Sequence, residues 1–228
     1  MGIDPAHFED IVAHRVRDWE IRQRTPQTAP EPAADMMKAI TISRELGAGG
    51  NEVAEAVAST LGWDVWDRQL VEEIASKANV RREVVESVDE KTRGQIEAWV
   101  QELLGQTFGE QTYRRHLAEV VFTIARHGQA VIVGRGCNFI LRKALNVRVI
   151  APLPERVRRL AQREGISEAE AERRCQESDR KRREFVYNTF SREIADCYAY
   201  DLVLNTAQLP PADAAAAVVA AARARFQI

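Results

Sequence analysis

The stretch AITISRELGAGGNEVAEAVASTL, residues 39–61, constrains the fold more than any other part of the chain. Residues 39–43 are apolar and partly β-branched, which is the composition of a short buried strand. From Gly50 onward the period changes to that of a helix, with Val53, Ala54, Val57, Ala58 and Leu61 on one face. Gly47, Gly49 and Gly50 stand between the two patterns and let the chain turn within a few residues. A strand that runs straight into an amphipathic helix has that helix packed back onto it. A parallel sheet is the architecture built from repeats of this step.

The rest of the chain repeats the alternation. Strands are expected at residues 63–66, 130–133, 147–151 and 202–204, the last continued by Asn205. Helices are expected at residues 50–61, 69–78 and 211–226. The pattern predicts an α/β fold, a parallel sheet covered by helices on both faces. Residues 81–127 carry no strand pattern and predict a helical insert, with helices near 93–104 and 110–127 and Gly105 and Gly109 as punctuation. Residues 1–38 read as an appendage. Phe8, Ile11, Val12, Val16 and Trp19 share one helical face, and TPQTAPEPAAD follows as an extended Pro-rich linker. That helix either docks on the body or on a second subunit, or the segment is a loose tail. The expected division is therefore 1–38 and 39–228.

The turn after the first strand has the makings of an anion site. The first amides of a helix lack intrahelical partners, and the helix dipole favours negative charge there. Gly47, Ala48, Gly49, Gly50, Asn51 and Glu52 are the candidate phosphate-binding positions. The alternative is a tight turn without a ligand. Laid over the GxxxxGK[ST] loop, Arg44 takes the first glycine's place, Gly49 the second's, Gly50 the lysine's and Asn51 that of Ser/Thr. The lysine is absent. One charge-assisted hydrogen bond contributes about 1.5–3 kcal/mol, or about one to two decades of binding. A replacement cation is needed, and Arg44, always charged and forked, is the nearest one.

Other residues point to the same chemistry. Asp67 follows the second strand, at the sheet edge where ligands collect. It contacts an acceptor phosphate through metal, holds a hydroxyl, or caps the helix that begins with Arg68. Arg135 stands between two glycines after the third strand, where packing does not call for a charge. Arg156, Arg158, Arg159 and Arg163 lie on one helix, and Arg180, Lys181, Arg182 and Arg183 on another. Interspersed acids make a solvated, salt-bridged face the plain reading of Arg158, Arg163, Arg173 and Arg174. The run DRKRR, residues 179–183, is denser than such pairing requires.

The segments AITISRELGAGGNEVAEAVASTLGWDVWDRQLVEEIA, VIVGRGCNFIL, APLPERVRRL, SDRKRREFVY and YDLVLNT together resemble the cytidylate-kinase-like family of P-loop proteins. They occur in the family's order over most of residues 38–206, and the lysine-free SRELGAGG is itself similar to that family's loop. The resemblance implies a nucleoside-monophosphate-kinase-type fold with a core sheet, a phosphoacceptor-binding insert at 81–127 and a mobile, arginine-bearing lid at 165–192. It implies ATP and a small phosphorylated acceptor, CMP first among them, as substrates. Mg2+ would arrive on the nucleotide. It implies acceptor contacts from Asp67, Arg68 and Arg135, lid contacts from Arg180, Arg182 and Arg183, and catalytic roles for Arg44, Arg135, Asp179 and Arg182. Arginines that close over a transferred phosphoryl group contribute about 10³–10⁵ in rate where they are best studied. Asp179 either orients them or helps hold magnesium. No aspartate ends VIV or VRVIA, so the magnesium ligands stay unassigned, although Asn51 offers a carbonyl oxygen where a hydroxyl is usual. Gly136 and Cys137 follow Arg135 where ordinary cytidylate kinases carry an aspartate beside an arginine.

Composition removes other classes. The net charge is -2, so no global field favours nucleic acid or a membrane surface, and the arginines at 156–183 lack aromatic neighbours for base stacking. No apolar run approaches the roughly 18 residues of a membrane span, and the charged start does not read as a secretory signal. Cys137, Cys175 and Cys197 and the four histidines show no ligand spacing, so neither a disulfide framework nor a zinc site is expected; a reducing, cytoplasmic setting is. The expected function is ATP-dependent phosphoryl transfer to a nucleoside monophosphate or a related small acceptor. The alternative is a nucleotide-binding regulatory protein without transfer, which the missing lysine, the missing strand-end carboxylate and the N-terminal appendage favour. The apolar faces of the first and last helices leave room for a homodimer.

Overall fold

A computed structural model describes residues 5–24, 37–104 and 112–228. The Pro-rich linker, Gly105 and Gly109 lie outside the described residues. Two compact units emerge, one drawn from Met1–Lys38 and Trp66–Gly128, the other from Ala39–Val65 and Gln129–Ile228.

Five strands, β1 (Ala39–Arg44), β2 (Asp64–Trp66), β3 (Ala130–Val133), β4 (Leu145–Ile150) and β5 (Leu202–Asn205), form one sheet in the order β2-β3-β1-β4-β5. The β1–β3, β1–β4 and β4–β5 pairs are parallel. Because β1 is central, the loop that follows it leaves the middle of the sheet's C-terminal edge, where open parallel sheets collect ligands.

In the second unit the period of two sorts β1 and β4 into two faces. Ile40, Ile42, Val147 and Val149 pack with Val53 and Val57 of α2 (Gly50–Leu61) and Val218 and Val219 of α10 (Pro211–Phe226). Each fully buried Val contributes about 1.5–3 kcal/mol to this layer. Thr41, Ser43, Asn146 and Arg148 alternate with those residues. Thr41 and Asn146 stand opposite each other in register, and the Thr41 hydroxyl bonds Asn146 Oδ1 at 2.6 Å. α7 (Cys137–Ile140) packs on β1. α8 (Leu153–Glu164) ends at Gly165, and α9 (Glu168–Phe190) starts at the N-cap Ser167, whose hydroxyl accepts from the Glu170 amide. Val157, Leu160, Ala171 and Cys175 lock these two helices together.

The first unit is helical among its described residues: α1 (Pro5–Arg24), α3 (Arg68–Ser76), α4 (Ala78–Glu86), α5 (Glu90–Leu104) and α6 (Thr112–His127). α6 packs against α3, α4 and α5, and α1 packs against α4. The apolar face of α1 is buried at Phe8, Val12, Val16 and Trp19. Trp19 stacks on Trp66 at 5.3 Å and on His127 at 3.8 Å.

The strand–helix order follows the expectation, with local differences that include the short helix α7 after β3, for which there was no expectation. The helix expected at 69–78 is α3, which stops at Ser76 because Lys77 is extended at ψ 111, and α4, for which there was no separate expectation, follows with its own buried face at Val80 and Val84. β4 begins at Leu145, which pairs with Ile40. β1 continues through Arg44, which pairs with Val149. No helix among the described residues is long and apolar enough to cross a membrane. Trp19→Ala is expected to destabilise the protein by about 3–5 kcal/mol, the range for truncating a buried aromatic. Urea unfolding would measure it, and a loss under about 1 kcal/mol would show that α1 adds little to the first unit's core.

Candidate phosphate-binding site

The second unit contains the loop and the arginines that face it. Glu45 to Gly49 connect β1 to α2. Gly47 (φ 82) and Gly49 (φ 78) take left-handed backbone conformations, and Gly49 is the N-cap of α2 with no side-chain cap bond. As a glycine it has no side chain to cap the amides of the first helical turn. A Cβ on Gly47 would meet Arg156 O at 2.6 Å, so glycine lets the loop press against α8. On the other side, the Thr206 hydroxyl donates to Ala48 O at 2.7 Å, and Arg159 grips Thr206 through Nη1 (3.1 Å) and Nη2 (2.9 Å). The loop is held at both flanks.

Buried charge holds its base. Arg156, 6% exposed, donates from Nε to Ala151 O (2.9 Å) and from Nη1 to Leu46 O (3.3 Å) and to Asp179 Oδ2 (2.9 Å). Glu45 faces two guanidiniums, Arg156 Nε at 3.4 Å and Arg148 Nη2 at 3.5 Å, and accepts from the Ala151 amide. Arg148 also donates to Ser43 Oγ at 3.0 Å, its direct partner in strand register. Arginines buried this deeply need carboxylate and carbonyl partners, since an unpaired buried charge costs several kcal/mol. Glu45, Arg148 and Arg156 escaped the sequence reading as functional residues. The available signal was an arginine inside the buried strand VRVIA.

The expected site arginines fall into two groups. Arg44 turns toward α2, and its Nε donates to Asn51 Oδ1 at 3.2 Å. Arg182 reaches the same point from α9, with Nη1 donating to Arg44 O at 3.0 Å. Arg135 has φ 51, flanked by Gly134 and Gly136 at φ 86 and 65, and its guanidinium lies 4.8 Å from the Phe185 ring centroid. A Cβ on Gly136 would collide with the Phe190 ring, so this turn is pressed against the end of α9. Burial pushes the Cys137 thiol up to about 12, and the Arg135 and Arg44 cations both act to lower it. Arg180 pairs with Glu184 one turn onward and Arg183 is exposed, so neither repeats the reach of Arg182.

The remaining expected residues have local partners. Asp67 Oδ1 accepts from the Leu70 amide at 2.8 Å and caps α3, while Arg68 opens that helix and is exposed. Both belong to the first unit. Glu52 is exposed and lies 3.5 Å from Arg163 Nη1. Glu52, Arg159, Arg163 and Pro211, with Gly47 and Gly49, line a groove of about 240 Å3 beside the loop. Among the described residues no cluster of three or more His, Cys, Asp or Glu could hold a metal. The two expected oxygen donors, Asn51 and Asp179, face Arg44 and Arg156 instead. The residues present do not make a magnesium cage, and an ion bound mainly by phosphates and water requires none.

Glu45→Ala is expected to cost about 2–3 kcal/mol. That is below the about 3–5 kcal/mol for breaking a fully buried pair, because Asp179 still faces Arg156 and Glu45 is itself 23% exposed. Denaturant titration measures the loss, and an unchanged midpoint would show that Glu45 does not hold the loop base.

The cytidylate kinase-like family matches residues 39–208. A cytidylate kinase of Thermococcus kodakarensis is 37% identical over 99 residues, 43% of this chain and 51% of that protein. The chain thus spans about half the length of that relative. A cytidylate kinase of Ignicoccus hospitalis is 28% identical over 181 residues, covering 77% of this chain and 93% of its own. The crystal structure of an uncharacterized protein from Eubacterium ventriosum has the same fold, with a TM-score of 0.56 at 18% identity, over 81% of this chain and 97% of that one. The family match takes in the sheet, the glycine loop and the long arginine-bearing helix alike, and the chain belongs to the cytidylate kinase-like family.

Proposed function

We propose that the protein transfers the γ-phosphoryl group of ATP to a nucleoside monophosphate or a related small phosphorylated acceptor. The observation that carries this reading is the meeting of Arg44 and Arg182 at the base of a glycine loop whose helix N-terminus lacks a side-chain cap. The amides of Gly47 and of Gly49 to Glu52 receive phosphate oxygens, the Ala48 amide being bonded to Glu45 O. Arg44 supplies the charge that an ordinary loop takes from lysine. Arg182 and Arg135 stabilise the charge that develops as an acceptor oxygen attacks the γ-phosphorus and the bond to the bridging oxygen breaks, releasing ADP. An acceptor monophosphate arrives ionised, so the step needs no general base. Mg2+ enters as the ATP complex and neutralises phosphate charge. Asp179 acts at a distance, by fixing Arg156 under the loop. The groove between Arg159 and Pro211 is the proposed seat of the nucleotide's base.

CMP is the first acceptor to test, because the named relatives are cytidylate kinases. After Arg135, Gly136 presses on Phe190 and Cys137 is buried, so these positions offer a base no polar group. Cytosine selectivity therefore has to come from elsewhere, and the panel should hold all nucleoside monophosphates.

A second reading, nucleotide binding without transfer, is favoured by the pairing of Asn51 and Asp179 with arginines rather than with an open metal position. The two readings separate in one experiment. ATP with Mg2+ is expected to raise the melting temperature, and a coupled ADP-release assay to show turnover with a monophosphate. Arg182→Ala should then lower kcat by about 10³, the lower bound for a phosphoryl-transfer arginine, while ATP still stabilises the protein. ATP binding without turnover on any acceptor would establish the second reading and overturn the first.

A further inference from the structure

The loop differs from GxxxxGK[ST] at two positions that look independent in sequence, Arg44 for glycine and Gly50 for lysine. In the structure they touch. Strand alternation puts the Arg44 side chain on the same face as Ile40 and Ile42, under the first turn of α2. A Cβ added to Gly50 would fall inside contact distance of Arg44 Cβ and only 2.8 Å from Arg44 Cγ. A rotamer change moves Cγ, but Cβ is fixed by the backbone. Any side chain at position 50 is therefore excluded while position 44 carries any residue but glycine. Asn51 then accepts from Arg44 Nε, holding the guanidinium at the helix N-terminus.

We propose that Arg44 and Gly50 form a reciprocal exchange: the loop's cation enters from the strand instead of the helix, and Gly50 is glycine because Arg44 is present. The cationic half rests on the phosphate-binding reading above; the steric half does not. Restoring lysine at position 50 alone should damage the protein, and restoring both residues together should rebuild an ordinary loop.

Two measurements test this separately. The first is thermal stability of Gly50→Ala in three backgrounds. With Arg44, and equally with Arg44→Ala, the substitution is expected to lower the melting temperature by several degrees. With Arg44→Gly it should leave the temperature unchanged or raise it, because alanine is the better helix former once the clash is gone. The same shift in all three backgrounds would overturn the exchange. The second is calorimetric affinity for ATP with Mg2+. Arg44→Gly should weaken binding about tenfold or more, and Arg44→Gly/Gly50→Lys should recover most of the loss. A double variant that binds no better than Arg44→Gly would overturn the cationic half. Should Arg44→Gly not fold, the exchange still requires Arg44→Gly/Gly50→Lys to be more stable than Gly50→Lys, and the reverse order would refute it. A wild-type protein that does not bind ATP would sink the proposed function and the cationic half with it, while the stability comparison still decides the steric half.

Discussion

A single buried guanidinium holds the glycine loop in shape. Arg156 bonds the carbonyls of Leu46 in the loop and Ala151 after β4, and it faces the carboxylates of Glu45 and Asp179. Its own backbone packs so closely on Gly47 that the loop tolerates no side chain there. The loop, the end of β4 and the long helix α9 thus share one polar joint. Such joints are stable only when every partner is present, and when complete they impose one geometry. Cys175, bonded to Leu46 O, and Arg182, bonded to Arg44 O, tie α9 to the loop at two further points.

For the proposed phosphoryl transfer this joint would set where the charges stand. Phosphoryl transfer leaves little covalent work to a protein; positioned charge does most of it. Charge is effective when it is fixed before the reaction and needs no reorganisation during it. Around this loop stand arginines brought from the end of β1, from α8 and from α9. On the proposed reading, the absence of a loop lysine is a redistribution of charge over several elements. That reading would also tie loop function to the docking of α9, which contacts the loop at Leu46 O and Arg44 O.

The sheet and its helices were largely legible in the sequence, because burial on two faces writes apolar runs and helical periods that need no tertiary context. Residues 50–61 and 211–226 carried their helices plainly, and 130–133 its strand. The end of α3 was legible, but α4 was not, since ANVRREVVE is mostly polar and only the burial of Val80 and Val84 gives it a packed face. The glycine loop, Arg44 and Arg182 were singled out from the sequence, and the structure brings them together through Asn51 and Arg44 O. Glu45, Arg148 and Arg156 did not. In a chain rich in surface ion pairs, a buried arginine looks like any other until the fold shows what encloses it. Arg148 inside a strand was the one position where local pattern already conflicted with charge. Asp179 stood out for its place in the DRKRR run, and the structure gives it a partner, Arg156, that spacing alone does not reveal.

The central claim is that arginines replace the loop lysine at the phosphates of ATP. A crystal structure with a non-hydrolysable ATP analogue tests it most directly. The account predicts the β- and γ-phosphates among the amides of residues 47–52, with the Arg44 guanidinium and that of Arg182 or Arg135 within hydrogen-bonding distance of their oxygens. Phosphates bound at the loop with Arg44 still turned to Asn51 and no guanidinium within reach would contradict it.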